Sequence, residues 1–119
     1  MKRPQREFYS IGEVCSLFAL EPHVLRYWET QFPALSPPRN RAGNRVYRQR
    51  DLELIALIQH LVRDERYTIE GARHRLTEVR AEGVEGELSS RALERSFLRS
   101  LRSELESVLQ LLDSTPVEG

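Results

Sequence analysis

The sequence predicts a mainly α-helical fold: a winged helix-turn-helix with a small β-hairpin wing, two additional helices and a C-terminal coiled-coil helix. Two short stretches with helical spacing of apolar residues, ending near Phe18 and beginning again at Pro22, are parted only by Ala19-Leu20-Glu21. A basic, glycine-bearing stretch, 38–47, comes next. Near the C-terminus Leu98, Leu101, Leu105, Val108 and Leu112 recur at intervals of 3, 4, 3 and 4, the a/d seam of a coiled coil.

The first helix opens on Ser10-Ile11-Gly12-Glu13, a capping box with a hydroxyl at the N-cap and a carboxylate three residues on. Ile11, Val14, Cys15 and Phe18 then mark one face. Pro22 suits the first position of a second helix, 22–31, where its missing N–H costs nothing. At 100° per residue, Leu25, Trp28 and Phe32 fall on one side of that helix, and His23, Arg26, Tyr27 and Thr30 on the other. Pro33 and Pro37-Pro38 stop it and stiffen the exit.

Residues 38–47 read as a hairpin with Gly43-Asn44, which tolerate positive φ, at or near its tip, and Val46 and Tyr47 on the return strand. A third helix is expected over 51–63, apolar nearly all round and so packed on several sides. Thr68 caps a fourth, whose inner face is Ile69, Ala72, Leu76 and Val79. Gly83, Gly86 and Ser89-Ser90 predict a break over 81–90, followed by the last helix at about 90–113. Residues 1–8 are expected to be a frayed polar arm, and those from Thr115 onward a tail.

A chain of 119 residues is one domain, or a small domain with an appendage, and buries about 65% of its unfolded surface. Its zero net charge hides an asymmetry. Residues 1–50 carry nine Lys and Arg against four acids; residues 51–119 carry nine against fourteen. Residues 37–50 hold five arginines and no acid, a local patch suited to a polyanion met by one face. The single cysteine, Cys15, excludes an internal disulfide framework and a thiolate metal cage. No apolar run approaches membrane-spanning length, and no apolar signal segment opens the chain. The sequence is therefore expected to be soluble, cytoplasmic and nucleoid-associated, with no membrane partner.

Tyr9-Ser10-Ile11-Gly12-Glu13-Val14, Leu25-Arg26-Tyr27-Trp28-Glu29, Arg39 with Asn44-Arg45-Val46-Tyr47, Asp51-Leu52 and Tyr67-Thr68-Ile69-Glu70-Gly71-Ala72 together resemble the DNA-binding domain of the MerR family of bacterial transcription regulators. The resemblance covers roughly 8–80 and implies a winged helix-turn-helix, two further helices and, at 90–113, a helix that pairs in an antiparallel coiled coil. It implies a homodimer on an inverted-repeat promoter site in double-stranded DNA, and RNA polymerase is a candidate further partner. Helix 22–31 resembles the family's recognition helix, with Arg26 and Tyr27 where the family uses an Arg-Tyr pair on DNA. Arg39, Arg45 and Tyr47 match the wing's backbone-contacting positions. Trp28 stands where many members have a second Tyr, and neither an effector domain nor a cysteine pair follows the last helix. Metal and drug sensing are therefore not carried over, and no cofactor or metal is expected.

The expected DNA-binding residues are His23, Arg26, Tyr27, Thr30, Arg39, Arg41, Arg45 and Tyr47. Arg26 can read a guanine edge or hold a phosphate; both readings stand. Asn44 is expected to serve the turn. Cys15 lies on an apolar stripe as a core thiol, and His60 and His74 have no partners at ligand spacing. The expected dimer residues are Leu98, Leu101, Leu105, Val108 and Leu112, helped by Leu93 and Phe97, because that seam is short. A DNA-bending architectural or adaptor protein of the same fold is the alternative, motivated by the acidic half at 51–119. An enzyme is not expected: no nucleophile, base or metal set converges.

Overall fold

The computed structural model describes residues 7–114, so the tail and most of the expected N-terminal arm lie outside the described residues. The chain runs β1 (Tyr9–Ser10), α1 (Ile11–Phe18), α2 (Pro22–Gln31), β2 (Val46–Tyr47), α3 (Gln49–Gln59), a π-helical turn (His60–Asp64), α4 (Ile69–Ala81) and α5 (Glu85–Ser114). The mainly α winged helix-turn-helix is the observed architecture.

α1 begins where its capping box requires. Ser10 Oγ accepts from the Glu13 N–H at 3.2 Å, and Glu13 Oε1 accepts from the Ser10 N–H at 3.0 Å. Two otherwise unpaired donors are thereby satisfied. α1 ends at Ala19, whose left-handed backbone (φ 53°, ψ 47°) turns the chain toward α2. β1, too short to be read from the sequence, pairs antiparallel with β2, setting Tyr9 opposite Tyr47 and Ser10 opposite Val46. The entry to the helix-turn-helix is thus stitched to the wing.

α3 is the hub. Leu52, Leu54, Ile55, Ala56, Leu57 and Ile58 are all buried, as expected for a helix apolar all round. Its start lies two residues earlier than expected. Asp51 sits in the first turn, buried, and its carboxylate accepts from the Arg48 N–H at 2.9 Å and from the Arg48 guanidinium. After Gln59 the helix widens into the π turn, and Thr68 then caps α4 by accepting from the Gly71 N–H at 3.0 Å.

α5 begins at Glu85, inside the stretch expected to be a break. Gly83, at φ +75°, makes the turn. Gly86, Ser89 and Ser90 lie within the helix, because Ser89, Ala92, Leu93 and Ser96 are buried in packing that outweighs their weak helix propensity. The Ser96 hydroxyl donates to the Ala92 carbonyl at 3.1 Å. Leu93 is therefore committed to the chain's own core, and Phe97 is half-buried against that core. Past Ser100 the character changes: every residue from Leu101 to Asp113 is exposed. No helix among the described residues is long and apolar enough to cross a membrane.

Candidate nucleic-acid interface

α2 presents two unlike faces. Leu25 and Trp28, with Phe32 just beyond the helix, anchor it in the core, leaving His23, Arg26, Tyr27 and Thr30 exposed on the other side. Tyr27 is half-exposed on that face. The Thr30 hydroxyl donates to the Tyr27 carbonyl at 2.6 Å, so its proton is used within the helix while its oxygen still accepts.

The wing tip is organised by Asn40. Its side-chain oxygen accepts from the N–H groups of Ala42 and Asn44, both at 3.0 Å, and its backbone carbonyl accepts from the Gly43 N–H at 3.0 Å. Gly43 closes the turn at φ +84°, a conformation that a side chain would strain. Arg39 pairs with Arg45 across the hairpin, and the Arg39 guanidinium donates to the Gly43 carbonyl at 2.7 Å. Arg41 stands exposed beside the tip.

Between α2 and the wing lies a shallow groove. Arg26 reaches it from the helix, Arg39 and Arg45 from the wing, and Tyr9 and Ser10 of β1 also line it. No acidic residue lines it. Three guanidiniums around an acid-free groove suit phosphate and base-edge acceptors.

Two of the expected contact residues stand differently from the sequence reading. Tyr47 is fully buried, and its hydroxyl donates to Glu29 Oε2 at 2.9 Å. Burial first, then the Glu29 hydrogen bond and charge, pushes its pKa well above the ordinary tyrosine value, so the hydroxyl remains a neutral donor. Tyr47 is therefore a core residue rather than a surface for DNA. Arg45 lines the groove but is partly buried, with its Nε 2.7 Å from Glu29 Oε1. Glu29 and Asn40 were missed in the sequence. The Asn-x-x-Gly-Asn spacing signals Asn40's turn. Glu29 stands in the Leu25-Arg26-Tyr27-Trp28-Glu29 run that carries the resemblance, but nothing in that run shows what it bonds.

The chain matches the model of the MerR HTH family regulatory proteins over residues 9–79, from β1 through α4. The chain belongs to the MerR family. The matched segment holds α2, the wing and the groove between them, and stops short of α5. Among curated relatives, the HTH-type transcriptional regulators MlrA of Escherichia coli (strain K12) and of Salmonella typhimurium (strain LT2) are each 33% identical over 54 residues, 45% of this chain and 22% of theirs. An HTH-type transcriptional regulator of Synechocystis is 33% identical over 51 residues, 43% of this chain and 37% of its own. The chain thus corresponds to well under half the length of the curated relatives it matches. No solved structure matches it.

Among the described residues no group of three His, Cys, Asp or Glu side chains is placed to hold a metal ion. Cys15 is half-buried; burial first, then the nearby Glu21 charge, raises its pKa against an opposing effect of Arg26, which keeps it a thiol. His60 Nδ1 lies 2.9 Å from Asp64, and His74 is exposed. On α5, Leu98, Leu101, Leu105, Val108 and Leu112 are all exposed within the protomer, as are Leu109 and Leu111 beside them.

Proposed function

We propose that the protein is a sequence-specific, DNA-binding transcriptional regulator that binds promoter DNA as a homodimer. Helix α2 enters the major groove with Arg26 at a base edge or phosphate, flanked by His23, Tyr27 and Thr30. The wing, 38–47, lies along the backbone with Arg39 and Arg41. The observation that supports this reading is the exposed polar α2 face with Arg26, beside a groove that Arg39 lines from the wing. The C-terminal part of α5 supports the dimer. Its seam of five apolar residues is exposed along one helix, a contiguous apolar stripe of the kind that marks an interaction surface. Two-fold pairing of that seam matches an inverted repeat in DNA.

The test is selection of genomic DNA fragments by the purified protein at near-physiological salt, with sequencing of what is retained. An inverted repeat enriched within promoters is the expected result. Retention without sequence preference would favour the architectural reading, and no retention would sink both. If about four phosphates are neutralised per subunit, eight per dimer, log K falls with log salt at a slope of roughly −7.

A further inference from the structure

The acid-free groove has a carboxylate directly behind it. Glu29 is on α2, three residues after Arg26, so both lie on the same flank of the helix. Its two oxygens have separate partners on the return arm of the wing: Oε1 takes the Arg45 Nε–H at 2.7 Å and Oε2 takes the Tyr47 hydroxyl at 2.9 Å. Arg45 and Tyr47 are two residues apart on an extended strand and thus share a face. One carboxylate therefore grips the same face of the wing twice, across 16 and 18 residues of chain. The Glu29 side chain is only 13% exposed and that of Arg45 28%, so the pair is substantially shielded from water.

We propose that Glu29 is a positioning residue that sets the wing against the recognition helix, and that Arg45 is spent on this clamp instead of on a DNA phosphate. A carboxylate beside a phosphate-binding groove repels DNA unless a cation neutralises it, and Arg45 does so. Tyr47, packed in the core, fixes the other carboxylate oxygen and with it the direction from which Arg45 approaches. Among the described residues of α2 and of the wing, 38–47, the arginines left without a partner are then Arg26 and Arg41, with Arg39 held to the Gly43 carbonyl at the tip. This assignment deepens the DNA-binding reading above and rests on it only for its consequence, not for the clamp itself.

The sign of one substitution separates positioning from simple electrostatics. Glu29→Gln removes a negative charge beside the groove, so charge alone predicts tighter binding and a steeper salt dependence. The clamp predicts the reverse for the selected site: a neutral glutamine gives up the ion pair with Arg45 and forces the Tyr47 hydroxyl to turn from donor to acceptor, the wing loosens, and affinity falls roughly 5- to 30-fold, with less loss on non-specific DNA. Tyr47→Phe, which keeps the ion pair, falls between wild type and Glu29→Gln. Ala replacements of Glu29 and Arg45 are strongly non-additive, because each alone leaves the other side chain without its partner.

The experiment pairs binding of these variants to the selected site with amide hydrogen exchange of the free protein. Exchange at Asn40 and Val46, whose N–H groups donate to the Asn44 and Pro38 carbonyls and hold the hairpin closed, is expected to quicken about tenfold or more in Glu29→Gln while α3 amides keep their protection. Unchanged exchange at those amides, or a folded Glu29→Gln that binds the site as tightly as wild type, would overturn the assignment. If wild type retains no DNA at all, the function proposed above fails, and the exchange measurement still decides the clamp.

Discussion

The Gln59 side-chain amide donates to the Phe18 carbonyl at 2.7 Å, tying the C-terminus of α1 to the end of α3. Gln59 is 3% exposed. A helix leaves its last carbonyls without intrahelical partners, and the one at Phe18 is met by a side chain from 41 residues away. The helix-turn-helix is therefore joined to the hub helix by a polar bond as well as by apolar contact. Gln59→Leu keeps the volume but leaves that carbonyl unpaired, and is expected to cost about 1–3 kcal/mol. Urea unfolding of the two proteins checks it; an unchanged midpoint would mean that water replaces the amide without loss.

Leu105 is 60% exposed and lies in the middle of the α5 seam. Leu105→Glu is expected to leave the protomer folded, since nothing in its core is disturbed, and to convert a dimer into a monomer. Sedimentation equilibrium reads the mass, and circular dichroism checks the fold. A dimer that survives the substitution would place the interface elsewhere. A monomer should also lose affinity for an inverted repeat, because the second half-site no longer binds as part of the same molecule.

Arg26 and Arg41 are expected to fail in different ways. If Arg26 reads a base, Arg26→Ala relaxes preference at one position of each half-site, at a cost of roughly 1–3 kcal/mol. Arg41→Ala weakens binding to all sequences alike and makes the salt slope shallower by roughly one for each protomer. Titrations of both variants against matched and mismatched sites over a range of salt check this. A uniform loss in both would make Arg26 a phosphate contact.

Asp64 connects the π turn to α5: His60 Nδ1 lies at 2.9 Å and the Arg99 guanidinium at 3.2 Å. Burial works to raise its pKa, but the His60 hydrogen bond and the Arg99 charge outweigh it and hold the carboxyl below its ordinary 3.8. A depressed folded-state pKa means that its contribution is complete above 3.8 and disappears as pH falls through the folded value. Asp64→Asn should therefore be less stable than wild type at pH 7, by no more than about 1 kcal/mol for so exposed a group, with the difference closing in strong acid. Denaturant melts at pH 7, 4 and 2.5 check it; a gap that persists unchanged to pH 2.5 would show that the charge is not its source.

Much of the helix-turn-helix is determined by the sequence alone, because its signals are local. Ser10 and Glu13 cap α1, Pro22 and Pro33 bracket α2, and Thr68 starts α4; each acts within a turn or two of chain. The division of α2 into a buried Leu25–Trp28 side and an exposed Arg26–Tyr27 side follows from helical period alone. Only tertiary structure decided what crosses between elements. The two-residue β1 has no pattern of its own and exists because β2 supplies its partner. Tyr47 reads as a surface residue of a basic wing, yet the core and Glu29 take it in from 18 residues away. The first turns of α5 look like a break because Gly86, Ser89 and Ser90 are poor helix formers, and they are helical because Ser89, Ala92 and Leu93 are buried in the core, while Gly86 itself stands exposed in open space. Leu93 and Leu98 are both leucines of one helix, but the first is sealed in the protomer and the second is left in water. Spacing along a chain records which side chains share a face; what covers that face is set by packing free energy from residues distant in sequence.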